Sequence, residues 1–198
     1  MSEAFVVAVQ SSFVDDALTK LDVRTNIIRA INRTVQWSRT QAAREIREQV
    51  NLPASYLSGS NGRLTITQQA TSDDLSAVIT GRHRPTSLAR FSSNAREGFQ
   101  RGARVTVQPG LSRFLPRAFF VPLRSGNSDT KNNVGLAIRL PAGQIPSRAY
   151  KPTPLGRNTW LLYGPSVDQV FDDVAQDMSP AIAEYLEAEF LRLMEAGI

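Results

Sequence analysis

Apolar and small side chains recur at steps of three, four or seven between Val14 and Val50, which is the spacing of one face of an α-helix. The opposite face is polar and mostly cationic, so the pattern predicts one long amphipathic helix that ends at Leu52-Pro53. Such a helix measures on the order of 50 Å, so it either breaks near Asp22 or lies partly along a neighbouring molecule. The apolar face consists of Ala17, Leu21, Ile28, Ile31, Val35, Ser38, Ala42, Ile46 and Val50.

Downstream of this helix the apolar period changes to two, which is the period of a β-strand. The runs 64–68 and 75–79 flank a turn-like segment and are predicted to pair as an antiparallel hairpin. Further strands are predicted over 103–107 and 134–140. The dense apolar block 114–123 is predicted to be buried.

The stretch Pro141–Thr159 holds four prolines and two glycines with little periodicity, which predicts an arm or loop that becomes ordered on assembly. Helical spacing returns after residue 166. Because Ser179 is a good cap and Pro180 suits a first helical position, this region is predicted to form two helices. The predicted fold is a single α+β domain over residues 1–198, in which a long N-terminal helix packs on an antiparallel β-sheet or small sandwich closed by C-terminal helices.

Charge is distributed unevenly along the 198 residues, which carry 23 bases and 18 acids. Residues 165–198 hold eight acids and one base, a net charge of −7, whereas residues 1–164 hold 22 bases and ten acids, a net charge of +12. A basic body with an acidic end suits self-association, in which the end of one subunit meets the body of the next. A coding preference for arginine over lysine is an equally simple explanation for the 20 arginines among the bases.

Little in the sequence points to catalysis. The absence of cysteine excludes disulfides, thiolate zinc sites and thiol nucleophiles. The single histidine, His83, lacks an evident nucleophile and is interpreted as a loop or interface residue. The pairs Asp73-Asp74 and Asp172-Asp173 lack companion ligands at metal-binding spacing, and no phosphate-binding glycine motif occurs. We therefore expect no enzymatic activity, no cofactor and no metal.

No run of 18 apolar residues occurs, and the first residues lack the features of a signal peptide, so we expect a protein that is made in a cytoplasm and does not enter a membrane.

Arginines concentrate between residues 82 and 117, which is compatible with nucleic-acid binding or with salt bridges between subunits. No helix-turn-helix, RRM or zinc-finger signature accompanies them, so subunit contacts are the favoured interpretation. The predicted residues of a subunit or lumen interface are Arg82, Arg84, Arg90, Arg104, Arg113, Asp172, Asp173 and Glu187.

Three blocks of sequence, taken in order, resemble the minor tail protein Z family of long-tailed bacteriophages. They are AINRTVQWSRTQAAREIREQVNLPASYL, then GRHRPTSLARFSS with LPRAFFVPL, and finally YGPSVDQVF. The resemblance extends from about Ile28 to about Val174, and its specificity comes from the order of short motifs, none of them catalytic. The acidic segment after Tyr163 and the proline-rich loop have no counterpart in the family pattern, which leaves open the layer of the tail: terminator, completion protein or head–tail connector.

The resemblance implies a structural protein of the virion that forms a ring, six subunits by analogy with sixfold tail tubes, at the head-proximal end of the tail. There it would complete or terminate the tail tube and enable head–tail joining. The implied partners are other copies of the chain, the tail tube protein and head–tail connector proteins, with the tape-measure end or DNA in the lumen. The implied location is the virion, with the host cytoplasm during assembly. The alternative function is sequence-nonspecific DNA binding by the arginine-rich β region.

Overall fold

The computed structural model describes residues 5–8, 21–58, 62–93, 102–123 and 134–196, with side chains from residue 23 onward. The chain forms two compact units built from interleaved segments. Unit 1 comprises Met1–Ile46, Ala54–His83 and Val167–Ile198, and unit 2 comprises Arg47–Pro53 and Arg84–Ser166. The single domain predicted over 1–198 stays a prediction, because interleaved units can belong to one domain or to two.

Unit 1 is built on two long helices and a small sheet. Helix α1 spans Leu21–Gln49, the short helix α2 spans Ala54–Ser58, and helix α3 spans Val167–Glu195. Strands β1 (Phe5–Ala8), β2 (Leu64–Gln68) and β3 (Ser76–Gly81) form an antiparallel sheet in the order β1-β3-β2. The predicted hairpin is thereby confirmed, since β2 pairs with β3.

Helix α1 buries the face that the sequence pattern predicts. Ile31, Val35 and Ile46 are fully buried, as is the small residue Ser38, and this apolar stripe holds the helix against the rest of unit 1. The predicted start at Val14 lies outside the described residues. The α+β class, with a long N-terminal helix packed on antiparallel sheet, is confirmed.

A reciprocal amide contact fixes α1 to the segment after β2. The Asn32 side-chain amide donates to the Ala70 carbonyl oxygen at 3.0 Å, and the Asn32 side-chain oxygen accepts the Ala70 backbone N–H at 2.8 Å. Both hydrogen-bonding groups of the Ala70 backbone are thus satisfied by one side chain.

Unit 2 contains a β-ribbon and a four-stranded sheet. The ribbon pairs β4 (Ala103–Gln108) with β5 (Leu111–Leu115). The antiparallel sheet has the order β6-β7-β9-β8, with bounds Ala118–Pro122 for β6, Val134–Arg139 for β7, Thr153–Gly156 for β8 and Thr159–Leu162 for β9. Two 3-10 turns, Leu88–Phe91 and Arg148–Tyr150, complete the unit. Its buried apolar residues include Leu88, Phe91, Phe120, Leu136 and Leu162.

The predicted break at Pro180 is wrong, because α3 continues through it as one helix. Val174 and Ile182 are both buried, so the apolar stripe continues across the proline without a change of phase. Burial of that stripe on both sides offsets the one backbone hydrogen bond that a proline removes.

The proline-rich stretch has more regular structure than the sequence predicts. Of the arm predicted over 141–159, residues 153–156 form β8, which pairs with β9. Pro154 is tolerated because β8 is an edge strand, where a missing N–H does not interrupt the sheet. Ordering on assembly stays a prediction for this segment.

The apolar block 114–123 is buried only in part. Phe120 is buried, whereas 56% of Phe114 is exposed, so the prediction that the whole block is buried is wrong. The reason is topological: Phe114 lies on β5, an edge strand of the two-stranded ribbon, on the face opposite to the buried Val105.

Gly81 is predicted to be intolerant of a side chain. A Cβ built there meets the Asp168 Cα at 2.7 Å and the Asp168 backbone nitrogen at 2.9 Å, so Gly81→Ala forces β3 away from the start of α3. We expect a loss of about 1–3 kcal/mol in the free energy of unfolding, measured by urea denaturation followed by circular dichroism. Gly156→Ala is the matched control, because its Cβ meets nothing within 4 Å. Equal unfolding midpoints for the two variants would contradict this packing.

Candidate functional site

A cluster of aromatic and charged side chains joins α1 to α3 within unit 1. The rings of Trp37 and Tyr185 stack with centroids 4.4 Å apart and an interplanar angle of 7°. Beside them, Glu189 accepts hydrogen bonds from Arg33 Nη1 at 2.5 Å and from Arg192 Nε and Nη2 at 2.9 and 2.8 Å. We call these five residues the helix-pair cluster.

The cluster keeps its carboxylate ionised. Hydrogen bonding to Arg192 is the main reason that the pKa of Glu189 falls from 4.5 to about 2, with burial opposing the shift and Arg33 adding to it. The same pairing raises the pKa of Arg192. A carboxylate with this pKa does not exchange protons near neutral pH, so Glu189 is unsuited to general acid–base catalysis.

The cluster borders a shallow, open depression of ≈ 590 Å³. Gln36 and Thr40 complete its lining. Its two arginines are about half exposed, whereas only 10% of the Glu189 side chain is exposed. Because that carboxylate is already occupied by both guanidinium groups, we assign the cluster to holding the two helices together.

His83 has a partner that the sequence does not reveal. Its Nδ1 lies 2.9 Å from Oδ2 of Asp168, the second residue of α3, and the Asp168 side chain is only 7% exposed whereas that of His83 is 79% exposed. The backbone N–H of Asp168 also donates to the Arg82 carbonyl oxygen at 3.3 Å. The carboxylate therefore ties the chain after β3 to the N-terminal end of α3, where a negative charge is favourable.

The ribbon of unit 2 exposes large apolar side chains beside arginines. Arg104 pairs with Phe114 and Val105 pairs with Arg113, so the two arginines lie on opposite faces of the ribbon. Leu111 shares the face of Arg113 by strand alternation, and 49% of it is exposed. The arginines therefore flank exposed apolar surface, and they do not form a single basic face for a nucleic acid.

The outer surface of α3 is acidic. Exposed acids occur along the whole helix, and its one base, Arg192, is paired within the helix-pair cluster. Near its C-terminal end two apolar side chains, Leu191 and Met194, are 51% and 41% exposed. The exposed acids are Asp172, Asp173, Asp177, Glu184, Glu187 and Glu195.

The predicted interface residues are divided between the two units. Arg82, Asp172, Asp173 and Glu187 belong to unit 1, whereas Arg84, Arg90, Arg104 and Arg113 belong to unit 2. Arg82 is half-buried and its Nη1 donates to the Tyr56 hydroxyl at 3.1 Å, so it serves unit 1 itself. Arg90 is also half-buried, and the other six are exposed. Their role at a subunit or lumen interface stays a prediction.

The helix-pair cluster was not among the sequence predictions, although the residues of each half are spaced so that they share one face of a helix. Arg33 and Trp37 are four residues apart, and Tyr185, Glu189 and Arg192 follow at steps of four and three, so each set shares one helix face. The spacing does not reveal that these two faces meet, because the contact joins residues about 150 positions apart.

Among the described residues, no group of three or more acids and histidines is arranged to hold a metal ion. Neither long helix in the described part of the chain has a stretch apolar enough to cross a membrane. Comparisons of the chain with models of protein families, with curated proteins and with solved structures found no match.

Glu189→Gln is predicted to change how stability depends on pH. Because the folded-state pKa lies below 4.5, the carboxylate stabilises the fold above pH 4.5, and this contribution is lost as the pH falls from 4.5 toward 2. The variant should be less stable than the parent by about 1 kcal/mol at pH 7, since exposed guanidinium partners are screened by solvent. Urea unfolding should show this difference shrinking toward pH 2.

Glu48→Gln is the matched control, because it removes the same charge at an exposed position of α1. It should stay within about 0.5 kcal/mol of the parent throughout. A Glu189→Gln deficit that is unchanged between pH 7 and pH 2 would show that the ion pairs are not its cause.

Proposed function

We propose that the chain is a structural protein of a phage virion that forms a ring at the head-proximal end of the tail, where it completes or terminates the tail tube and enables head–tail joining. The proposal is supported by one observation above all: the chain exposes two unlike surfaces of opposite charge. One is the acidic outer face of α3 in unit 1, and the other is the set of exposed basic residues of unit 2, which includes Arg84, Arg113, Arg117 and Arg157.

Unlike surfaces on one chain favour a ring. A heterologous contact joins one surface of a subunit to a different surface of the next subunit. The subunits close into a ring when the rotation angle from each subunit to the next is a whole fraction of 360°. Opposite charge favours this pairing over the pairing of two like surfaces, since like charges in contact repel. The order of the three sequence blocks that resemble the minor tail protein Z family supports the same function.

Nothing in the described site favours catalysis instead. Glu189 is held ionised by two arginines, and Asp168 pairs with His83. These groups hold elements of the fold together, which is the chemistry of a structural protein.

Mass photometry of the purified chain tests the proposal, both alone and with tail tubes. The expected result is a particle of about 131 kDa, six times the 21.8 kDa chain, either free or formed on tube ends. Because the contact is electrostatic in part, the ring should weaken as salt rises from 0.05 to about 0.5 M. Monomers under every condition would contradict the proposal.

Charge reversal supplies a matched pair of variants. Glu184→Lys with Glu187→Lys reverses two exposed acids of α3, whereas Glu45→Lys with Glu48→Lys makes the same change in net charge at exposed positions of α1. The first pair should abolish the ring and the second should leave it, with both retaining the parent's circular dichroism spectrum. If both pairs of changes abolish the ring equally, net charge governs association and the α3 surface does not.

Binding to random duplex DNA distinguishes the alternative function. A DNA-binding protein should bind at micromolar concentration or tighter with a steep salt dependence, whether or not it forms a ring. Anisotropy titrations that show no binding at moderate salt would remove that alternative, and tight binding by a monomer would favour it.

A further inference from the structure

Six large apolar side chains are exposed in the described part of the chain, and four of them lie on two elements. Leu111 and Phe114 lie on β5, and Leu191 and Met194 lie near the end of α3. Large apolar side chains that cluster beside charged residues indicate a surface that a partner covers.

The exposed apolar residues of α3 lie in a stripe with acids. Residues 184, 187, 191, 194 and 195 follow one another at helical steps and fall within about 100° of the helix circumference. We define Glu184, Glu187, Leu191, Met194 and Glu195 as the acidic strip. All five are exposed, so the strip combines an apolar centre with negative flanks.

The ribbon β4–β5 has the complementary composition. Phe114 lies beside Arg104 on one face, and Leu111 shares the other face with Arg113. The first four residues of β5 are exposed, whereas Ala103 and Val105 of β4 are buried, so β5 is the strand of the ribbon that a partner can contact. On β5 the face of Leu111 and Arg113 combines an exposed apolar side chain with a positive charge.

We propose that the ribbon of one subunit docks on the acidic strip of the next subunit through the ribbon face that carries Leu111 and Arg113. The proposal rests on the ring function and specifies the contact that builds it. The occupant is a second copy because both surfaces are exposed, their charges are opposite, and each has exposed apolar side chains that the other can cover. Since every subunit carries one ribbon and one strip, the contact is heterologous and passes from subunit to subunit.

The lack of cysteine makes the contact directly testable by cross-linking. Gln108→Cys places a thiol on the ribbon face that carries Leu111 and Arg113, because Gln108 pairs with Leu111, and Ala188→Cys places one beside the acidic strip, both at exposed positions. After mild oxidation, a mixture of the two single variants should give a disulfide-linked pair that contains one copy of each, and neither variant alone should cross-link. A variant that carries both changes should give a ladder of linked chains that ends at the size of the ring.

Gln108→Cys mixed with Glu45→Cys on α1 is the control pair and should not cross-link. Rings that form while Gln108→Cys and Ala188→Cys fail to link would overturn this contact and leave the ring function standing. Cross-links of Gln108→Cys with itself, or with a cysteine placed in tail tube protein instead of Ala188→Cys, would also overturn it. Monomers throughout would overturn both the contact and the ring function.

A charge swap gives an independent readout. Arg113→Glu and Glu187→Arg should each weaken self-association by about tenfold or more, because each places like charges opposite one another. The two changes together should restore association to within about threefold of the parent. Thermal unfolding of each variant at low protein concentration confirms that the monomer still folds. If the double variant associates more weakly than either single variant, by the sum of their two losses in association free energy, then these residues do not face one another.

Discussion

The contact between α1 and α3 is the interaction on which unit 1 depends. Each of these 29-residue helices has to bury one face, and the stacked Trp37 and Tyr185 rings and the doubly paired Glu189 are contributed by both helices. A long helix draws most of its stability from such packing and little from its own propensity. The outer faces are therefore free to carry charge, since they are not needed for the fold.

The distribution of charge follows from this separation of a buried, packing face from an outer, solvent-exposed face on each helix. On α3 the buried side carries Val170, Phe171, Val174 and Ile182, and the outer side carries acids. In unit 2 the four-stranded sheet has a core of its own, and the ribbon keeps its arginines at the surface. An acidic surface and a basic one thus come from separate elements of one chain, and a protein that associates through unlike faces requires that arrangement.

Local pattern predicts much of this fold. The helical face of α1, with Ile31, Val35 and Ile46 buried, follows directly from residue spacing, and so does the β2–β3 hairpin. Pro180 misleads, because local preference favours a helix start there whereas tertiary burial of Val174 and Ile182 keeps the helix continuous. Contacts between distant segments, such as His83 with Asp168, have no local signal, since the two residues lie 85 positions apart. The exposure of Phe114 was also unpredictable, because it depends on how many strands surround β5.

The central proposal is that the molecule assembles through unlike faces at one end of a phage tail. Cryo-electron microscopy of tail tubes assembled with the purified chain tests this claim most directly, because it shows both the location and the arrangement of the subunits. The account predicts a closed ring at the head-proximal end of each tube, with neighbouring subunits in one repeated contact. Tube ends that stay bare when the chain is present in excess would contradict it.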